Sequence, residues 1–161
     1  MTTEEQEALR QKAYAEAQRY INNAKGALQL AGKDDDYYTD RKYVRTASAV
    51  AYSGALVALD ALFTLCGVEM PGKKHRRSIE FYRTNAAKMD GKLLNHLNAV
   101  YDALHISGYY DGTLSVDTIL GGFKAANKII ELIVPANPLP LPQPKPSWAR
   151  KVYLMFAALF V

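Results

Sequence analysis

The chain of 161 residues holds one cysteine, Cys66, so no disulfide can form within it, and a reducing, cytoplasmic setting is expected. Metal-ligand patterns are missing too. The three histidines, at 75, 96 and 105, have no helical ligand spacing among them and no Glu-x-x-His pair occurs, which predicts neither a metal site nor a bound cofactor. A glycine-rich phosphate loop is also lacking, since Gly121 and Gly122 fall inside a helical pattern without the lysine-serine signature. Cation excess is small. The formal net charge is +4, and the residues after Val134 carry three cations (Lys145, Arg150, Lys151) and no acid, which leaves +1 for the remainder. Binding nucleic acid over the whole surface needs many neutralised phosphates, so any basic site must be local. The N-terminal MTTEEQE is acidic and polar where a secretory signal needs basic residues and an apolar run, so no signal peptide is expected.

Charge is scarce in residues 41–67, RKYVRTASAVAYSGALVALDALFTLCG, the stretch on which the rest is organised. Between Arg45 and Glu69 the only ionisable side chains are Tyr52, Asp60 and Cys66, so a helix here is apolar on nearly every face and must be surrounded. Small residues such as Ala47, Ser48, Ala51, Gly54 and Ala58 let neighbouring helices approach, while Leu56, Leu59, Leu62 and Phe63 supply volume. The run is long enough to span a membrane. Asp60 would cost about 2.5–3.5 kcal/mol at the bilayer centre, however, and basic residues flank both ends without giving an orientation, so a buried bundle helix is the expectation. A carboxylate in such a helix needs a partner, for which Arg83, Lys25, Tyr52 and Tyr101 are the candidates; a structural role is expected in preference to catalysis.

Helical periodicity places a first helix over residues 4–31, opened by a Thr3/Gln6 capping box and stopped by Gly32. The segment KDDDYYTD then reads as a solvated connection, with Asp40 placed to favour the next N-terminus. A third helix is predicted over 78–89, broken at Asp90-Gly91. A fourth over 92–107 is expected to end at Gly108 before the turn YYDGT, and a fifth over 115–134 to end at Pro135. No strand is convincing. The predicted fold is all-α, an antiparallel bundle of four to five helices over residues 1–134. Residues 135–161 change character. PANPLPLPQPKP holds six prolines in twelve residues, an extended spacer of roughly 3 Å per residue, and SWARKVYLMFAALFV reads as a short apolar helix. Its ten uncharged residues would rise only about 15 Å as a helix, half the hydrocarbon thickness.

If successive helices alternate in direction, the second-to-third and fourth-to-fifth connections share one end of the bundle. That brings Lys73, Lys74, His75, Arg76 and Arg77 towards His105, Tyr109, Tyr110 and Asp111, and leaves the other two connections at the opposite end. Cations beside rings suit a phosphate, a nucleotide or single-stranded RNA. The plainer alternative is a solvated basic loop. Asp102 stands three residues before His105 and can orient its imidazole as in a general base, although no nucleophile accompanies them. A satisfied polar face is the plainer reading there.

The stretches KYVRTASAVAYSGALVALDALF, RRSIEFYRTNAAKMDGKLLNHLNAVYDALHISGYYDG and GFKAANKIIELI resemble a family of small, uncharacterised bacterial all-helical domains. More remotely, the alanine-rich second helix and the tyrosine-bearing turn after a late helix are similar to the HEPN superfamily. That resemblance implies nucleotide or RNA binding, or assistance to nucleotidyltransferases, with ribonuclease activity in some members. Catalytic members carry an arginine followed after four to six residues by histidine. Asn98, Ala99 and Val100 occupy those positions before His105, so the expected function is a non-catalytic module for an anionic ligand (nucleotide or RNA) or a protein partner. A homo-oligomer is expected. The alternatives are a protein-interaction or membrane-surface role for the tail, with docking on the bundle favoured over membrane contact, and an unusual RNA-cleaving enzyme using His105.

Overall fold

A computed structural model describes residues 1–72 and 77–137. Lys73, Lys74, His75 and Arg76 lie outside the described residues. So do residues 138–161, and with them most of the expected proline spacer and the short apolar helix.

The first helix, α1 (Thr3–Leu30), opens with a capping box one residue earlier than the sequence suggested. Glu5 N–H donates to Thr2 Oγ1 at 3.2 Å and Thr2 N–H donates to Glu5 Oε2 at 2.7 Å, which satisfies two donors that the helix itself cannot. Gly32 follows the helix in the left-handed region, at φ +63°. The aspartate-rich connection is not merely solvated. It forms a two-stranded antiparallel hairpin, β1 (Lys33–Asp34) and β2 (Tyr37–Tyr38), turning through Asp35 at φ 52°, a conformation that aspartate tolerates. Tyr38 buries its ring, and Asp40 caps the next helix by accepting from Lys42 N–H at 2.9 Å.

Helix α2 (Arg41–Leu65) is the expected central element, long and apolar enough by composition to cross a membrane. Within this fold it packs against α1, α5 (Val116–Glu131) and the π-helix described below, burying among others Val44, Ala51, Ala55, Leu59 and Phe63. Small residues set its spacing, as predicted. A methyl placed on Gly54 would meet Tyr20 Cβ at 2.9 Å and the Ala17 carbonyl at 3.2 Å, so α1 crosses α2 there with no room for a side chain.

Helices α3 (Ile79–Met89) and α4 (Gly91–Val100) share Asp90, which is the C-cap of one and the N-cap of the other. Gly108 does not end the fourth helix. Its axis continues as a π-helix, π1 (Tyr101–Asp111), and Gly108 serves as a packing surface: a methyl there would stand 2.2 Å from Ser48 Oγ. The terminator is Gly112, left-handed at φ +67°. Helix α5 then buries Ile119, Phe123, Ala126 and Ile130 on one face, while Leu120 is exposed.

Helix direction departs from simple alternation. Contacts of Tyr52 with Tyr101, Ser48 with Gly108 and Arg45 with Tyr110 make π1 antiparallel to α2. Arg83 on Asn98 makes α3 antiparallel to α4, so α2 and α3 run in the same general sense. Arg77 and the start of α3 therefore lie back alongside α2, with Arg77 and Tyr82 at Asp60 and Phe81 at Phe63. The connections that meet are instead the first-to-second and the fourth-to-fifth. Tyr38 N–H donates to the Leu114 carbonyl at 2.8 Å, Val116 N–H donates to the Asp36 carbonyl at 3.0 Å, and Tyr37 bridges to Ser115.

Candidate functional site

An α-helix brings residues three and four apart onto one face; a π-helix, hydrogen bonded from i to i+5, overlays residues four and five apart. The sequence of π1 exploits that spacing. Tyr101, His105 and Tyr109 stand four apart, and Tyr110 stands five beyond His105, so all four rings share one side. Helix α2 contributes Tyr52. The His105 imidazole stacks on Tyr52 with ring centres 4.6 Å apart and an interplanar angle of 28°. Tyr101 lies at 5.1 Å, Tyr110 meets His105 edge-on at 5.1 Å, and Tyr109 stacks at 6.2 Å. The histidine is thus enclosed by four tyrosines.

Cations close both ends of this ladder. The Arg83 guanidinium lies over the Tyr101 ring at 4.8 Å and is oriented by Nε donating to Asn98 Oδ1 at 2.9 Å. At the other end Arg45 Nη2 donates to the Tyr110 carbonyl at 3.1 Å. Arg41 and Arg45 both lie across Gly112, where an added methyl would stand 2.6 Å from Arg45 Nε and 2.8 Å from Arg41 Cδ. Glycine is therefore required at that position for its left-handed φ and for space alike. Exposure rises along the ladder. Tyr52 is half-buried, and burial, reinforced by the neighbouring Tyr101, pushes its hydroxyl up to about 12, which keeps it neutral. Tyr109 and Tyr110 are 44% and 61% exposed, and Tyr37 of the hairpin is 62% exposed. Between that hairpin and π1 lies a hollow of about 530 Å³ lined by Tyr37, Arg41, Ser107, Asp111 and Thr118 among others. The assembled face offers ring surfaces with guanidinium groups beside them, which is what stacked bases on an anionic backbone require.

Of the residues singled out in the sequence, His105, Tyr109 and Tyr110 come together, with Asp111 lining the adjoining hollow. Arg77 does not join them. Its Nη1 pairs with Asp60 Oδ2 at 2.6 Å, and Tyr82 donates its hydroxyl to Asp60 Oδ1 at 2.8 Å. The partners of Asp60 are therefore Arg77 and Tyr82 rather than Arg83, Lys25, Tyr52 or Tyr101, because Arg77 and the start of α3 lie at that level of α2. Burial raises the Asp60 pKa; the Tyr82 hydrogen bond and the Arg77 charge oppose that rise. Asp102 makes no hydrogen bond to His105 among the described residues and lines a separate cleft with Arg83.

Sequence reasoning missed Arg41, Arg45, Tyr37 and the ring contacts of Tyr52. The arginines had an evident local explanation as counter-charges to the preceding aspartates. One signal was available: Tyr-x-x-x-His-x-x-x-Tyr-Tyr places four rings on one side of a helix, provided the helix is not ended at Gly108.

Among solved structures, a protein of unknown function from Dyadobacter fermentans matches with a TM-score of 0.67 at 38% sequence identity, over 78% of this chain and 95% of its own. No curated protein matches. Residues 12–135, which contain all five α-helical segments and π1 apart from the first turns of α1, match a family described as a domain of unknown function, DUF5618. The chain belongs to the DUF5618 family.

Proposed function

We propose that the domain is a non-catalytic binding module for a nucleotide or single-stranded RNA, which it holds on the π1 face. One observation carries this reading: four tyrosines enclose His105 in a ladder with Arg83 at one end and Arg45 at the other. Stacking a base on an aromatic ring contributes about 1–3 kcal/mol and tolerates any base, while the arginines meet phosphates. The ligand enters at Tyr109 and Tyr110, the exposed rings, with Arg41 and Arg45 beside them. The remote resemblance to HEPN domains supports the same class of ligand. His105 acts as a ring in the stack; the position of the HEPN catalytic arginine is filled by Asn98, Ala99 or Val100, which cannot stabilise a cleavage transition state.

Fluorescence anisotropy of a labelled oligouridylate with the full chain at low salt tests this. Binding should weaken on raising salt, and Tyr109→Ala/Tyr110→Ala should reduce affinity about tenfold or more, from the loss of stacking. Arg45→Ala should flatten the salt dependence. Absence of saturable binding by the oligonucleotide and by free nucleotides, or affinity unchanged in the tyrosine double variant, overturns the reading.

A further inference from the structure

Beside Tyr101, α3 and α4 leave a shallow, widely open cleft lined by Arg83, Thr84, Ala87, Leu94, Asn98 and Asp102. Arg83 is held before any ligand arrives. Its Nε is committed to Asn98 Oδ1 and its plane rests on Tyr101, which leaves both terminal nitrogens without a hydrogen-bond partner among the described residues. Because Asn98 accepts through Oδ1, its Nδ2 remains a donor beside that guanidinium. Asp102 follows Asn98 by four residues, one turn on at about 6 Å between Cβ atoms, and its carboxylate has no ion pair or hydrogen bond among the described residues. A fixed cation and an acid thus line one cleft without pairing with each other. Leu94 is half-buried beside Ala87 and gives the cleft an apolar wall.

We infer that this cleft binds a free amino acid as its zwitterion. The ligand carboxylate meets the Arg83 terminal nitrogens and Asn98 Nδ2, a guanidinium–carboxylate match that favours two parallel hydrogen bonds. Its ammonium donates to Asp102, and an apolar side chain covers Leu94 and Ala87. A simple anion leaves Asp102 as an uncompensated repulsion, and a simple amine leaves Arg83 unmatched. Selectivity for the doubly charged form follows from holding the two charges apart. The cleft shares Arg83 with the proposed nucleotide or RNA face, whereas Tyr109, Tyr110 and Arg45 do not line it, so loss of oligonucleotide binding in the tyrosine double variant and loss of amino-acid binding are read separately.

The test is an NMR titration of the full, isotope-labelled chain with each proteinogenic amino acid at millimolar concentration, following the Arg83 Nε–H and Asn98 side-chain amide signals. At least one amino acid with an apolar side chain should shift both saturably. For that amino acid, the analogue with an amide in place of the carboxylate and the analogue lacking the amino group should each bind about tenfold more weakly or worse, as expected for a lost charge-assisted hydrogen bond. Arg83→Gln should abolish binding of the amino acid, and Asp102→Asn should weaken it while strengthening binding of the analogue without an amino group, which no longer meets the Asp102 charge. No saturable shift with any amino acid overturns the inference. So does equal binding of the analogue lacking the amino group, which would make the cleft a plain anion site. The analogue comparison uses the unaltered chain and so does not depend on whether the variants fold.

Discussion

Replacing Gly108 by alanine probes the contact that brings π1 onto α2. The added methyl would lie 2.2 Å from Ser48 Oγ, 2.6 Å from Ser48 Cβ and 3.0 Å from Ile119 Cδ1. A β-carbon cannot swing away as the tip of a long side chain can, so the two helix backbones must separate. Overpacking of this kind costs about 1–3 kcal/mol, and separating two backbones belongs near the upper limit. Alanine's helix propensity over glycine returns about 1 kcal/mol. The expected net loss is about 2 kcal/mol, or about 4–8 °C in Tm at roughly 2–4 °C per kcal/mol for a domain of this size. Thermal unfolding followed by circular dichroism at a helical wavelength measures it. The cause is checked by a double-mutant cycle: in a Ser48→Gly background the same alanine has room, so its penalty should vanish. A Gly108→Ala protein as stable as the original, or a penalty that persists unchanged with Ser48→Gly, would refute the close-approach argument. Separation should also reach the ring ladder, since Ser48 is one turn from Tyr52 and Gly108 is three residues beyond His105.

Two further outcomes follow from titratable groups. Burial raises the Asp60 carboxyl above its ordinary value despite Tyr82 and Arg77, so its stabilising contribution is complete below the unfolded-chain pKa and is lost as pH rises through the folded one. Urea denaturation of the original chain beside Asp60→Asn should show the original's relative stability falling as pH rises through the carboxylate range; a relative stability that grows with pH would mean that the Arg77 pair outweighs burial. The Tyr52 hydroxyl, raised to about 12, likewise contributes stability that is present below the usual tyrosine range and lost as pH rises through about 12. Absorbance at a tyrosinate wavelength, read just after a jump to alkaline pH, should show a late ionisation step that Tyr52→Phe reduces by one tyrosine. A step of the same size in the variant would assign it elsewhere.

Much of the architecture was legible because it rests on local patterns. The apolar run of α2, the Asp90-Gly91 break and the Asp40 cap are each written in a few neighbouring residues. Two local signals misled. Gly108 looks like a helix stop, but a glycine without a side chain also permits a helix crossing, and the choice depends on whether another helix arrives at that level. The aspartate-rich connection looks solvated because each residue is polar, yet its backbone pairs with residues 114–116, about eighty positions later. No short window contains that partner.

By itself, the sequence determined an all-helical bundle and the central place of α2, since periodicity and apolar burial act over a few residues, whereas the face shared by His105, Tyr109 and Tyr110 needs π1 to run on past Gly108. Only tertiary structure decided which ends meet. Nothing local states where α3 lies along α2; packing of Phe81 and Tyr82 on Phe63, with Asp60 taken by Arg77, settles it. That choice keeps Arg77 away from the π1 ring face and places Arg41 and Arg45 there instead. The same choice brings Arg83 onto Tyr101, because the position of a long-range side chain is set by the whole fold rather than by its neighbours in the chain.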